Sequence, residues 1–156
     1  MLKKMKTLAN FIKSLGPKLK ALTAQELASE FRKAPKEFIT YKETKCRCMR
    51  TNQLIVCLEA TGSMQNYDFC WIQRCNIYKE SKAAEINHFG VTKKLLGCGI
   101  GKAFLTETMD HMRAIHGINQ FIFNAEVQSD RGKFLIALGA TQTSPINSAG
   151  CAEFTI

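Results

Sequence analysis

Apolar positions along the chain recur first at helical and then at strand spacing. Over residues 1–15, Leu2, Met5, Leu8, Ile12 and Leu15 fall three or four apart with lysines between them, which predicts a helix stopped by Gly16-Pro17. Thr23-Ala-Gln-Glu26 has the form of a capping box, opening a second helix with Leu27 and Phe31 on its apolar side and Pro35 at its end. From residue 38 the period falls to two. Residues 38–49, 53–60 and 67–78 read as consecutive antiparallel strands, joined by turns at Thr51-Asn52 and Thr61-Gly62-Ser63, and residues 84–91 read as a fourth. Ile100, Phe104, Met112 and Ile115 give a long helix its apolar stripe, ending at His116-Gly117. Residues 118–126 then read as a buried strand, 129–138 as a helix and 151–156 as a last strand. This order predicts a mixed α/β (α+β) domain, a mostly antiparallel sheet flanked by helices.

Composition narrows the class. A chain of 156 residues is long enough for one domain with a real core. Its hydrophobic share of 46% and charged share of 22% suit a globular protein. No window approaches the roughly 18 uninterrupted apolar residues of a membrane span. Lys13, Lys18 and Lys20 break up any signal-peptide core, so the chain is expected in the cytoplasm. Charge is unevenly spread: residues 1–50 hold 13 Lys and Arg against four Asp and Glu, a balance of +9, and the remainder holds nine of each. A basic amphipathic start suits a protein partner, an acidic surface or simply a solvated lysine face. No aromatic side chains interleave the lysines as a stacking platform requires, which argues against nucleic acid.

Seven cysteines, an odd number without Cys-x-x-Cys spacing, exclude a zinc site of the usual kind. Cys46 and Cys48 share one face of a strand and are expected as thiols filling core volume. No metal is expected.

The chemistry concentrates in Val91-Thr-Lys-Lys-Leu-Leu-Gly-Cys-Gly-Ile-Gly-Lys102. Glycines alternate at 97, 99 and 101, after a β-branched run and before a helix. Glycine lets main-chain amides turn into a donor nest, and the following helix adds its positive end, so the stretch predicts an anion cradle. It is not a P-loop, because Ala103 stands where a hydroxyl would follow Gly101-Lys102, and its glycine spacing is not that of a dinucleotide fingerprint.

Leu96-Gly97-Cys98-Gly99-Ile100-Gly101 resembles the acetyl-CoA pyrophosphate loop of the GNAT superfamily of N-acetyltransferases, Arg/Gln-x-x-Gly-x-Gly/Ala, with Val91 on the family's strand valine. A second stretch, residues 128–140, resembles that family's Asn-x-x-Ala-x-x-Phe-Tyr-x-x-x-Gly-Phe helix through Phe134, Leu138 and Gly139. The resemblance covers roughly residues 45 to 145. It implies a GNAT-like twisted sheet and an acetyl-CoA-binding domain over 37–156, with the basic helical segment over residues 1–36 as an added arm. It further implies acetyl-CoA as cofactor, an amine of a small molecule or protein as acceptor, and cofactor contacts from Phe89, Val91, Leu96, Gly97, Cys98, Gly99, Ile100, Gly101, Lys102 and Ser129. Three positions depart from the family: Leu96 replaces Arg or Gln, Leu135 replaces the acidic tyrosine, and Gln128 or Ser129 replaces the asparagine.

Acetyl transfer to an amine needs a base, a donor to the carbonyl oxygen and a proton for the leaving thiol. Glu85 and His88 are the catalytic candidates on the strand before the loop, with Glu59 and Asp68 on neighbouring strands. Tyr67 and Tyr78 are candidate acids, whereas His111 and His116 are expected on the helix surface. Two functions follow. One is an N-acetyltransferase. The other is a GNAT-fold protein without catalysis, a structural or binding component docking through its basic N-terminal helices. Short acetyltransferase-like proteins of bacteriophage particles resemble the chain in carrying Phe-Leu at the Phe134-Leu135 position, which would place it in a host cytoplasm or virion.

Overall fold

The computed structural model describes residues 23–64 and 67–156. The basic helix expected over 1–15 and its Gly16-Pro17 stop lie outside the described residues. Thr23 stays extended, and its Oγ1 accepts the Glu26 amide at 3.2 Å, so helix α1 (Ala24–Lys33) starts where the capping box predicts. The helix buries Leu27, Ala28 and Phe31, and Pro35 opens a short 3-10 turn beyond it. Strands β1 (Ile39–Arg47), β2 (Leu54–Met64), β3 (Tyr67–Tyr78) and β4 (Ala83–Val91) follow. Then come α2 (Ile100–His116), β5 (Gln120–Glu126), α3 (Asp130–Ala137), β6 (Thr141–Gln142) and β7 (Cys151–Thr155). The sheet is mixed and mostly antiparallel, in the order β1-β2-β3-β4-β5-β7-β6. No helix of the described residues is long and apolar enough to cross a membrane.

The parallel pairing of β4 with β5 sets the site. β4 and β5 pair from Ala83↔Gln120 to Ile86↔Phe123, joined by α2 as a parallel pair must be by some crossover. The ladder then ends although both strands run on, and β5 continues with β7 as far as Glu126↔Cys151. Asn87, His88 and Phe89 therefore leave the β4–β5 ladder. His88 marks the departure with φ at +55°, a left-handed conformation uncommon for a non-glycine residue.

The chain forms two compact units. The first holds, of the described residues, 23–40, 61–64, 67–71 and 90–107. Phe31 lies edge-on to Phe69 with centroids 5.1 Å apart and meets Phe38 at 6.3 Å. Leu95, Ile100, Phe104 and Leu105 complete this core. Burying one such ring contributes about 2–3 kcal/mol. Thr61-Gly62-Ser63, expected as a turn, is instead the continuation of β2. A Cβ at Gly62 would sit 2.3 Å from the Cys70 sulfur, so glycine is there for close packing and not for a bend.

The second unit holds residues 41–60, 72–89 and 108–156, with Leu58, Ile72, Ile77, Met112, Ile118, Phe121 and Phe154 fully or almost fully buried. Several expectations are corrected here. Ile115 is 62% exposed, because the inward stripe of α2 steps from Met112 to position 116. The His116 side chain is only 5% exposed and meets Glu43 at 2.5 Å. His111 is half-buried and stacks on Tyr41, centroids 3.7 Å apart, so neither histidine is a free surface group. Cys46 is not a core thiol but forms a disulfide with Cys57 across β1 and β2, and Cys48 is half-exposed.

Candidate functional site

After a 3-10 turn (Lys93–Leu95), Leu96 is extended and its side chain is 62% exposed. Gly97 and Gly99 both take φ of +80°, which only glycine adopts without steric cost, and Cys98 between them donates to the Leu95 carbonyl at 3.3 Å. Helix α2 begins at Ile100. The amides of Gly99, Ile100, Gly101 and Lys102 reach no backbone acceptor among the described residues, as the first turn of a helix requires. Space is left for a ligand: a Cβ at Gly97 would meet nothing within 4 Å. At Gly99 it would lie 3.3 Å from Nη1 of Arg32, so the guanidinium from the last turn of α1 stands over the loop. Amides without backbone partners, a helix N-terminus and a guanidinium together favour an anion.

The second unit carries a cavity of about 610 Å³ whose lining includes Arg47, Cys48, Arg50, Glu59, Arg74, Glu85 and His88. Glu85 and Asn87 project from one face of β4, two residues apart, and the Asn87 amide donates to Glu85 at 3.1 Å. Tyr78 also borders the cavity, and partial burial followed by the Glu85 charge raises its pKa. Phe89, next along β4, is held from α3. Arg131 donates from Nη2 to the Phe89 carbonyl at 2.7 Å, and the Phe134 ring stacks on Phe89 at 5.9 Å. Burial lowers the pKa of Arg131 from its ordinary 12.5.

No protein-family model and no curated protein sequence matches the chain. Solved structures do. A Desulfovibrio desulfuricans protein assigned to the GNAT family of acetyltransferases superposes with a TM-score of 0.57 at 9% identity, over 64% of this chain and 67% of that one. RimL, a ribosomal-protein α-N-acetyltransferase in complex with coenzyme A, gives 0.55 at 17% identity, over 64% and 61%. A Bacillus anthracis protein assigned as a streptothricin acetyltransferase, in complex with acetyl coenzyme A, gives 0.55 at 10% identity, over 76% and 87%. The chain has the GNAT fold. The match spans less than two thirds of RimL's length.

On this GNAT fold the expected site residues fall into groups. Val91, Leu96, Gly97, Cys98, Gly99, Ile100, Gly101 and Lys102 lie in the first unit, on the end of β4, the loop and the start of α2. Glu85, His88 and Phe89 lie in the second, where Glu59 and Tyr78 join Glu85 and His88 at the cavity. Tyr67 and Asp68 belong to the first unit and are exposed. Ser129 caps α3: its hydroxyl accepts the Gly132 amide at 3.1 Å and donates to the Glu126 carbonyl at 2.5 Å. Leu135, at the family's tyrosine position, is buried. Among the described residues no three His, Cys, Asp or Glu side chains are grouped to hold a metal. Spacing missed Arg32, Arg74 and Arg131. Each reaches its place through tertiary packing, and none carries a local signal beyond being an arginine.

Proposed function

We propose that the chain is an acetyl-CoA-dependent N-acetyltransferase. One observation carries this reading: Gly97 and Gly99, both at +80°, lead into a helix start whose amides lack backbone partners. The residues suit a pyrophosphate. Four successive amides lack a backbone acceptor, Gly97 faces open space, and Arg32 supplies the cation that Leu96 lacks. Lys102 adds a further positive charge in the first turn of α2.

Acetyl-CoA, when bound, supplies an acetyl group activated as a thioester. On transfer the amine nitrogen gains the acetyl and loses one proton, while the sulfur leaves as the free thiol. Glu85 or His88 takes the amine proton, directly or through a water in the cavity. The main chain of β4 from Phe89 to Val91 provides the amide donor to the acyl oxygen, and Arg131 keeps Phe89 in place by holding its carbonyl. Leu135 has no proton to give, so the proton for the thiol would come from Tyr78 or from solvent.

Buried Leu135 and apolar Leu96 favour a second reading, a GNAT-fold component that binds without turnover. Release of coenzyme A from acetyl-CoA, followed chromatographically in the presence of mixed primary amines, separates the two. For the enzyme, Glu85→Gln and His88→Ala are expected to slow release at least tenfold, about 1.4 kcal/mol, with acetyl-CoA affinity unchanged. Bound acetyl-CoA without any amine-dependent release would establish the second reading.

A further inference from the structure

The cavity of the second unit holds charges of both signs that do not pair with each other. Its walls carry three guanidinium groups, Arg47, Arg50 and Arg74, and two carboxylates, Glu59 and Glu85, yet no ion pair joins any of them among the described residues. Arg47 is turned to the Asn52 carbonyl at 2.9 Å, and Glu85 accepts only an amide, that of Asn87. The side chains of Arg50, Arg74 and Glu59 make no hydrogen bond or ion pair among the described residues. Opposite charges sharing a concave lining attract one another. Side chains that stay apart leave both signs available to a ligand.

From this pattern we infer that the cavity binds a small zwitterionic amine, one molecule carrying a free carboxylate as well as its amino group, as α-amino acids do. The amino group meets a carboxylate of the lining, Glu85 on β4 or Glu59 on β2. The carboxylate meets Arg74 and Arg50, whose planar donors match a carboxylate in paired hydrogen bonds. A polyamine would satisfy the two carboxylates but face three guanidinium groups. A dicarboxylate without an amine would leave Glu59 and Glu85 opposed to it. The volume, about 610 Å³, lies within the roughly 300–1,000 Å³ range of small-molecule sites.

The inference names the acceptor class for the transfer proposed above and rests on that reading for the reaction, whereas the ligand is read from the cavity alone. The test therefore uses direct binding. Saturation-transfer NMR is recorded for an equimolar mixture of free α-amino acids and for the matching α-carboxamides, which keep the amine and mask the carboxylate. Wild type, Arg74→Ala and Arg50→Ala are compared, with acetyl-CoA binding measured separately on each. Free amino acids are expected to bind wild type at least tenfold more tightly than the carboxamides. That preference should fall at least fivefold in Arg74→Ala or Arg50→Ala, with acetyl-CoA affinity unaltered. Equal binding of acids and carboxamides, binding of neither, or a preference that survives both substitutions would overturn the inference. Those results leave acetyl transfer to another amine, a peptide N-terminus included, untouched. Loss of acetyl-CoA binding in wild type would instead count against the transferase reading and leave the cavity result standing.

Discussion

The Cys48 thiol, just after β1, accepts hydrogen bonds from the Thr51 hydroxyl and from the amides of Thr51 and Arg50, and these hold its pKa down at about 7. The buried thiols go the other way. Burial pushes Cys75 up to about 12 and Cys70 higher still. A lowered pKa favours the thiolate, the reactive form, so Cys48 is half reactive near pH 7 and not near the ordinary value of 9. Alkylation of the folded protein by iodoacetamide, mapped by mass spectrometry, is expected to modify Cys48 well before Cys70 or Cys75, with a midpoint close to pH 7. A midpoint near 9, or Cys75 reacting as fast, would contradict this. At the same scale, Arg32 and Leu96 belong together. Leu96 brings no cation to the loop, and a guanidinium from α1 stands over it.

Among elements, the tie between α3 and β4 concerns the site most directly. Arg131 enters from the first turn of α3, donates to the Phe89 carbonyl at 2.7 Å and lies with its guanidinium 5.8 Å from the Phe89 ring centroid. Arg131→Met keeps the aliphatic stem and removes the charge-assisted bond. It is expected to lower unfolding free energy by about 1–2 kcal/mol in urea titration, discounted for the partly exposed guanidinium. A change below about 0.5 kcal/mol would mean that the bond contributes nothing to holding β4.

Elements were also what the sequence carried best. Tyr67–Tyr78 was legible at both ends as a β-rich run, and Thr23 with Glu26 announced α1. Gly62 misled, because a missing side chain reads as a turn whether the chain bends or another atom needs the room. β6, two residues long, has no periodicity to read. The Cys46–Cys57 bridge depends on strand pairing, which cysteine count and spacing leave open. In the site, the glycine loop was legible since its backbone need is local. The grouping of Glu59, Arg74 and Glu85 around one cavity was not, since it requires strands from three parts of the chain.

At the scale of the molecule, a GNAT fold at 9 to 17% identity to the solved structures described above rests on period and on a few glycines more than on shared side chains. The net charge of +9 lies wholly in residues 1–50, of which Arg32 is one of the described cations and stands at the loop. The central claim is that this loop binds the pyrophosphate of acetyl-CoA. Calorimetric titration of acetyl-CoA into wild type, Gly99→Glu and Arg32→Ala tests it most directly. Wild type is expected to bind with a dissociation constant of about 10 µM or tighter, Arg32→Ala about tenfold more weakly, and Gly99→Glu more weakly by two orders of magnitude or not at all. A folded wild type that takes up no acetyl-CoA, or a Gly99→Glu variant that binds it equally well, would contradict the claim.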